Sequence, residues 1–301
     1  MMRGLAFAAG LMLAGCASTQ SAPQTAPKPP SADVIASQVG EKPTPTSPPA
    51  GQQWLYGSAE GAVASAQVYR ALASYVRAVA ISAAPHRQVV LAEGSTLAAP
   101  RFDDCGDKPL AAVFDADETL IWNLGAMRYF AEQHQDFDPA VWDQWEKTGT
   151  GKAIAMPGVI DAVKVMRGAG VTVIVNTNRT AANAKGSEDT LRAAGLGDFK
   201  HGETLFLMGD TPDGASKDGR RALIASRWCV IAMGGDQLGD FAQAFNARDL
   251  SVEGRKTLAT SGPIADLWGH GWFLLSNPVY GPSIRGGFAD IFPSDKQWEP
   301  K

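Results

Sequence analysis

Short apolar runs that end abruptly in polar clusters set the pattern of this chain. Leu110-Ala111-Ala112-Val113-Phe114 runs straight into Asp115-Ala116-Asp117-Glu118-Thr119. Val171-Thr172-Val173-Ile174-Val175 ends at Asn176-Thr177-Asn178-Arg179. Thr204-Leu205-Phe206-Leu207-Met208 follows, then Trp228-Cys229-Val230-Ile231-Ala232-Met233, which stops at Gly234-Gly235-Asp236. The last run, Trp272-Phe273-Leu274-Leu275, leads into Asn277-Pro278-Val279-Tyr280-Gly281. Such runs read as parallel strands buried on both faces. Between them the apolar spacing switches to the helical period. Ser58-Ala59-Glu60 is a helix start, followed at helical spacing by Ala62, Ala66, Tyr69, Leu72, Ala73 and Val76, with Pro85 as the stop. Further helices are expected from Pro157-Gly158 to the Gly168–Gly170 stretch, over 181–194 with Gly186 as a weak point, over 217–226, and over 238–245. Strands alternating with helices imply an α/β fold, a parallel sheet flanked by helices and joined by right-handed crossovers.

Two stretches stand outside this alternation. Residues 122–156 carry Trp122, Tyr129, Phe130, Phe137, Trp142 and Trp145, with a helix start at Asp138-Pro139. An insertion directly after the first strand is placed to hang over that strand's carboxyl end, so it reads as a small helical cap. The other stretch is the amino terminus. Arg3 precedes an apolar run from Leu5 to Gly15 that is too short to span a bilayer, and Leu13-Ala14-Gly15-Cys16 resembles a bacterial lipobox. That resemblance implies a signal peptide over 1–15 and a lipid anchor on Cys16. Ala17 in the next position, where an aspartate commonly retains such proteins at the inner membrane, leans towards the outer membrane. Residues 16–52 are Pro-, Ser- and Ala-rich and read as a disordered tether, with the folded domain over 53–301.

Composition narrows the picture only a little. The 301 residues are 45% hydrophobic and 19% charged, which describes a globular chain. A net charge of -4 gives no electrostatic case for binding a nucleic acid polymer. Four scattered histidines and three cysteines show no zinc-like spacing. With Cys16 lipidated, Cys105 and Cys229 remain in an oxidising envelope, either bridged or as two separate buried thiols.

The candidate chemistry lies where the strands end, the usual place for reactive groups in open α/β sheets. Asp115 and Asp117 emerge one residue apart, and carboxylates that close repel unless a cation or a shared proton lies between them. A divalent metal supplies that charge and also binds a phosphoryl oxygen. Thr177 and Asn178 follow the second strand, Lys217 opens the helix before the fourth, and Asp236 and Asp240 follow the fourth. A carboxylate can attack phosphorus, a second can move the proton, and a hydroxyl, an amide and a lysine can hold phosphoryl oxygens. Lys200, Arg220 and Arg221 are further cations near Lys217 in sequence.

The order Asp-x-Asp-x-Thr, Thr-Asn-Arg, Lys, Gly-Asp-x-x-x-Asp resembles the four motifs of the haloacid dehalogenase superfamily. Phe114-Asp115-Ala116-Asp117-Glu118-Thr119 more narrowly resembles the bacterial class C acid phosphatases, as do Trp54, Ser58-Ala59-Glu60 and Tyr69, the stretch from Asp236 to Phe241, and Asn277-Pro278-Val279-Tyr280-Gly281. The family's Asp-Asn pair is here Asp236-Gln237. The resemblance covers roughly residues 54–281. It implies a Rossmann-like haloacid dehalogenase fold and a Mg²⁺-dependent acid phosphatase acting on small phosphomonoesters, nucleoside 5′-monophosphates among them. It implies Asp115 as nucleophile and metal ligand, Asp117 as general acid/base with its backbone carbonyl on the metal, and Asp236 and Asp240 on or beside the metal. Thr177, Asn178 and Lys217 would bind phosphate. Tyr280 would stack on the base, opposite Trp122, Tyr129 or Phe130. Arg179 is left between a site role and a structural ion pair. Two rivals remain: a phosphatase for sugar or aryl phosphates, and a surface-binding lipoprotein that uses the fold as a scaffold, against which the intact motif set speaks.

Overall fold

The computed structural model describes residues 47–300. The expected signal peptide, the expected lipidation site Cys16 and most of the expected tether therefore lie outside the described residues. A helical turn, Ala50–Gln52, continues into a π-helical turn, Gln53–Gly57. Pro49 precedes the turn, where its missing N–H costs nothing. Gln52 is buried, its amide donating to the Met127 carbonyl at 3.3 Å.

The long first helix, α1 (Ala59–Ala80), starts where expected, with the Ser58 hydroxyl accepting the Gly61 N–H at 2.9 Å. β1 (Leu110–Phe114) leads into an insertion bounded by two short strands, β2 (Ile121–Trp122) and β3 (Ile154–Ala155), paired antiparallel. Inside it lie α2 (Leu124–Glu132) and α3 (Pro139–Thr148), the latter capped by Asp138 on the Ala140 and Val141 N–H groups. Then come α4 (Val159–Gly168), β4 (Thr172–Thr180), α5 (Ala184–Ala193), β5 (Leu205–Met208), α6 (Asp218–Arg227), β6 (Cys229–Gly235), α7 (Val252–Thr260) and β7 (Trp272–Leu274). The sheet order is β5-β4-β1-β6-β7, all parallel.

Alternation along the central strand divides the core in two. Ala112 and Phe114 pack with Tyr69, Leu72 and Val76 of α1 and with Val159, Val163 and Met166 of α4. Ala111 and Val113 point the other way, to Ile224 of α6 and to Phe241, Phe245 and Trp272. A strand buried on both faces reads as a continuous apolar run because each face meets its own helical layer.

Three expected elements differ from what forms. β4 continues past Val175 through the polar residues to Thr180, with a register shift against β5 between Asn176 and Thr180. The helix expected over 238–245 is two separate 3₁₀ turns, Leu238–Asp240 and Gln243–Asn246. Arg221 takes the carbonyls of Gly239 and Asp240, at 3.2 and 2.7 Å, which an α-helix would need for its own ladder. Gly186 in α5 is a close-contact point rather than a weakness, since a Cβ there would lie 2.0 Å from the Glu146 carbonyl of α3. The helix α7 was not anticipated.

Cys105 and Cys229 form a disulfide, with Cα atoms 5.0 Å apart. Cys229 pairs with Leu110 at the start of β1, the end of the sheet away from the polar clusters. The bridge closes a loop with a sequence separation of 124, the long-loop regime in which the chain-entropy model assigns about 4–5 kcal/mol. No described helix is long and apolar enough to cross a membrane.

Candidate active site

Register brings the strand ends level. Phe114 of β1 faces Val175 of β4 and Gly234 of β6, so Asp115, Thr177 of the continuing β4 and Asp236 fall close together at this end of the sheet. The Asp115 N–H still donates to the Gly234 carbonyl at 3.0 Å, which fixes where its side chain begins. Carboxylate oxygens of Asp115, Asp236 and Asp240 lie within 4.8 Å of one another. Gly235 makes this possible, because a Cβ there would come within 2.4 Å of the Asp240 side chain. Lys217 is buried against the group, its ammonium contacting Asp115 and lying 2.7 Å from Asp240.

Thr119 donates its hydroxyl to Asp236 at 3.1 Å. Asn277 and Gln237 donate amides to the other Asp236 oxygen at 2.8 and 3.0 Å. The turn between Asp115 and Thr119 is tight, with Glu118 in the left-handed region at φ 51. That strained residue is held by its N–H on the Ile121 carbonyl, 2.8 Å, and by Asn123, whose N–H donates to its carboxylate at 2.9 Å.

Residues that follow β1, β6 and β7 thus meet Lys217, at the start of α6, on one rim. Residues 57–283 fit the family described as HAD superfamily, subfamily IIIB (Acid phosphatase). The chain belongs to this acid phosphatase subfamily. It is therefore a phosphoric monoester hydrolase. A class C acid phosphatase from Bacillus anthracis with tungstate bound is similar in fold, with 23% identity and TM-score 0.60 over 77% of this chain and 84% of that one. A second structure of the Bacillus anthracis class C enzyme gives the same figures. No curated protein matches the chain significantly.

Electrostatics of the subfamily IIIB site favour a cation among the carboxylates. Burial pushes Asp115 well above the ordinary carboxylate range; Lys217 opposes this, and Asp240 and Asp236 add to it. Asp236 is raised to about 7, by burial and by Asp240. Burial alone would lower the Lys217 ammonium, but Asp115 and Asp240 outweigh it and hold it above its usual value. Three buried, mutually repelling oxygen donors suit a hard divalent cation. Asp115 and Asp236, whose burial favours the protonated form, would bind it as carboxylates and give up any proton in exchange.

Beyond β1, the extended backbone of β4 sorts its polar residues by parity. Thr177 and Arg179 both reach Asp117, the hydroxyl at 3.4 Å and the guanidinium at 2.7 Å. Asn176 and Asn178 both accept from Arg220, at 2.8 and 2.5 Å, which leaves the Asn178 amide N–H groups free to donate. Arg179 is thus a partner of the site carboxylate Asp117, with its side chain 2% exposed. The cation choice resolves by distance. Lys200 is exposed and pairs with Glu203, while Arg220 and Arg221 brace asparagines and backbone carbonyls.

The expected base-stacking residues scatter. Tyr280 is half-buried, and its hydroxyl donates to Glu118. Burial and Asp117 raise Glu118 to about 7, with bonds from Asn123 and Tyr280 opposing the rise. Trp122 is buried, edge-on to Tyr56. Phe130 is buried in the cap, tilted against Phe137, and Tyr129, 44% exposed, packs edge-on to Phe130. Phe130 thus packs within the cap, Tyr129 lies at its surface and Trp122 joins the main core from β2, so none of the three pairs with Tyr280. Tyr56, missed in the sequence, lies within reach of the site carboxylates. Burial, then Glu118, Asp236 and Asp117, raise its hydroxyl far above the usual value. Its position between Trp54 and Ser58 was the available signal.

Proposed function

We propose that this chain is a Mg²⁺-dependent phosphatase that hydrolyses nucleoside 5′-monophosphates through an aspartyl-phosphate on Asp115, carried on a lipid anchor at Cys16 in the bacterial outer membrane. The observation that carries the chemistry is the buried Asp115 carboxylate, in contact with Lys217 and grouped with Asp236 and Asp240. An Asp115 oxygen attacks phosphorus as the ester O–P bond breaks, and Asp117 gives its proton to the departing alkoxide. Asp117 then takes a proton from the water that attacks phosphorus, which releases phosphate and restores Asp115. Thr177, Asn178 and Lys217 hold the phosphoryl oxygens. Asp115, Asp236, Asp240 and the Asp117 carbonyl would hold the metal, which when bound neutralises charge on the transferred group. Tungstate, a tetrahedral oxyanion like phosphate, is bound by the Bacillus anthracis relative, which supports an oxyanion site in this fold. Turnover of 4-nitrophenyl phosphate is expected to vanish in EDTA and to return with Mg²⁺. Full activity in EDTA would overturn the metal reading.

The preference for nucleotides rests on Tyr280 and Tyr56. A groove of about 1140 Å³ is lined by Tyr56 together with Gln52, Trp54, Leu124, Met127 and Arg128. It offers room for a flat base, and stacking on an aromatic ring is worth about 1–3 kcal/mol. Tyr280→Ala is expected to lower kcat/KM for a nucleoside monophosphate by roughly 5–150-fold if that energy survives in the transition state. Tyr280→Phe keeps the ring, loses only the bond to Glu118, and should retain the preference. Equal losses from Tyr280→Ala on a base-free phosphate ester would favour the second reading, a phosphatase for other small phosphomonoesters.

A further inference from the structure

The Asp117 carboxylate is held unevenly. Its Oδ1 accepts three donors: Arg179 Nη2 at 2.7 Å, Arg179 Nε at 3.0 Å and Asn123 Nδ2 at 2.9 Å. Its Oδ2 has only longer contacts, Arg179 Nε at 3.2 Å and the Thr177 hydroxyl at 3.4 Å. Oδ1 is therefore saturated, and Oδ2 is the oxygen with room for a proton. What turns the carboxylate this way is the orientation of Asn123. The Asn123 Oδ1 accepts from Arg179 Nη2 at 2.8 Å and from the indole N–H of Trp145 at 3.0 Å. Two donors on that oxygen, with Glu118 accepting from the amide nitrogen at 3.3 and 3.2 Å, set which end of the amide faces Asp117, since the opposite orientation would set N–H against N–H on one side and oxygen against carboxylate on the other.

Trp145 belongs to the cap, on α3, and its placement is built. The indole fits a slot between Gly125 and Gly149. A Cβ on Gly125 would lie 2.7 Å from its ring, and one on Gly149 would lie 2.4 Å from it. Neither glycine has a positive φ, so space and not backbone conformation calls for them. The next residue, Glu146, is 0% exposed and docks α3 onto the end of β4. It accepts the Thr180 N–H and hydroxyl, each at 3.0 Å, and the Asn183 amide at 2.9 Å. Adjacent cap residues thus perform two tasks. One fixes the helix to the core next to Arg179, and the other delivers an N–H into the Asp117 network.

We propose that Trp145 is a positioning residue for the general acid/base Asp117, acting through Asn123, so that the cap completes the proton-transfer machinery of the core. The proposal rests on the reading of Asp117 as the acid that protonates the leaving oxygen. Its signature is dependence on the leaving group. A nitrophenolate departs with little help, whereas an alkoxide needs its proton. kcat/KM, which covers the step in which the ester bond breaks, is measured for 4-nitrophenyl phosphate and for an alkyl phosphate. The enzymes compared are the parent, Trp145→Phe, Gly149→Ala and Asp117→Asn. Trp145→Phe keeps an aromatic ring and loses one hydrogen bond. It is expected to lower the alkyl phosphate value by about 2–12-fold, and the nitrophenyl value by less than about twofold. Gly149→Ala removes no polar group but displaces the indole from Asn123, and should reproduce the same selective loss. Equal losses on both substrates, or none on either, while Asp117→Asn discriminates strongly, would overturn the proposal and leave the reading of Asp117 standing. An Asp117→Asn enzyme that does not discriminate would overturn that reading, and the proposal with it.

Discussion

Asp115→Asn is expected to abolish turnover of every phosphomonoester, by about 10⁴-fold or more, while the protein stays folded. An amide oxygen carries no charge to attack phosphorus, and no aspartyl-phosphate can form. The substitution should not unfold the chain, because Asp115 is one of three crowded carboxyls and burial already disfavours its charge. Removing that charge relieves repulsion with Asp236 and Asp240, and Lys217 keeps Asp240 at 2.7 Å as a partner. The thermal midpoint should therefore stay level or rise. Turnover and melting are measured on the same purified sample, and a rate near the parent value would end the aspartyl-phosphate reading.

Asp117→Asn should lower kcat/KM by roughly 10²–10⁴-fold, the usual share of a positioned general acid/base. Here a cost in stability is expected as well. The Arg179 guanidinium is almost wholly buried and meets Asp117 through both Nε and Nη2. Burial would lower the Arg179 pKa, and Asp117 more than compensates. An asparagine still offers one carbonyl to Arg179 but removes the opposite charge, and breaking a buried pair in this way costs about 3–5 kcal/mol. The two substitutions should thus separate: Asp115→Asn inactive and at least as stable, Asp117→Asn less severely impaired and melting earlier. An Asp117→Asn protein as active as the parent would remove Asp117 from proton transfer. One as stable as the parent would mean that Arg179 finds its compensation elsewhere, with Glu146 and Glu118 the other buried carboxylates acting on it.

Much of this was legible in the chain alone, and the reason is local. A buried parallel strand must be apolar on both sides, so β1, β5 and β6 stand out as runs, and the polar residue that ends each run marks the rim of the sheet. Helix starts at Ser58 and Asp138 are written in residues whose side chains cap their own backbone. Asp115, Asp117, Thr177, Lys217, Asp236 and Asp240 were all named from that pattern together with the family resemblance.

What the sequence left open depends on partners distant in the chain. β4 continues through Asn176-Thr177-Asn178-Arg179 because Arg220 and Asp117 satisfy alternate side chains, and neither is visible from a polar stretch read by itself. The turn after Asp236 fails to become a helix because Arg221 takes its carbonyls. Arg179, open to either reading, is assigned by an aspartate 62 positions away. The aromatic residues of the cap looked interchangeable in sequence, since ring type does not encode direction. Only tertiary packing turns Phe130 of α2 inward, sets Trp122 of β2 against Tyr56, and brings the Trp145 N–H of α3 to Asn123. Local periodicity and capping thus determine which elements form and which of their ends carry chemistry. The direction each polar group faces is decided by burial against the rest of the chain, where an unpaired donor or charge costs too much to leave.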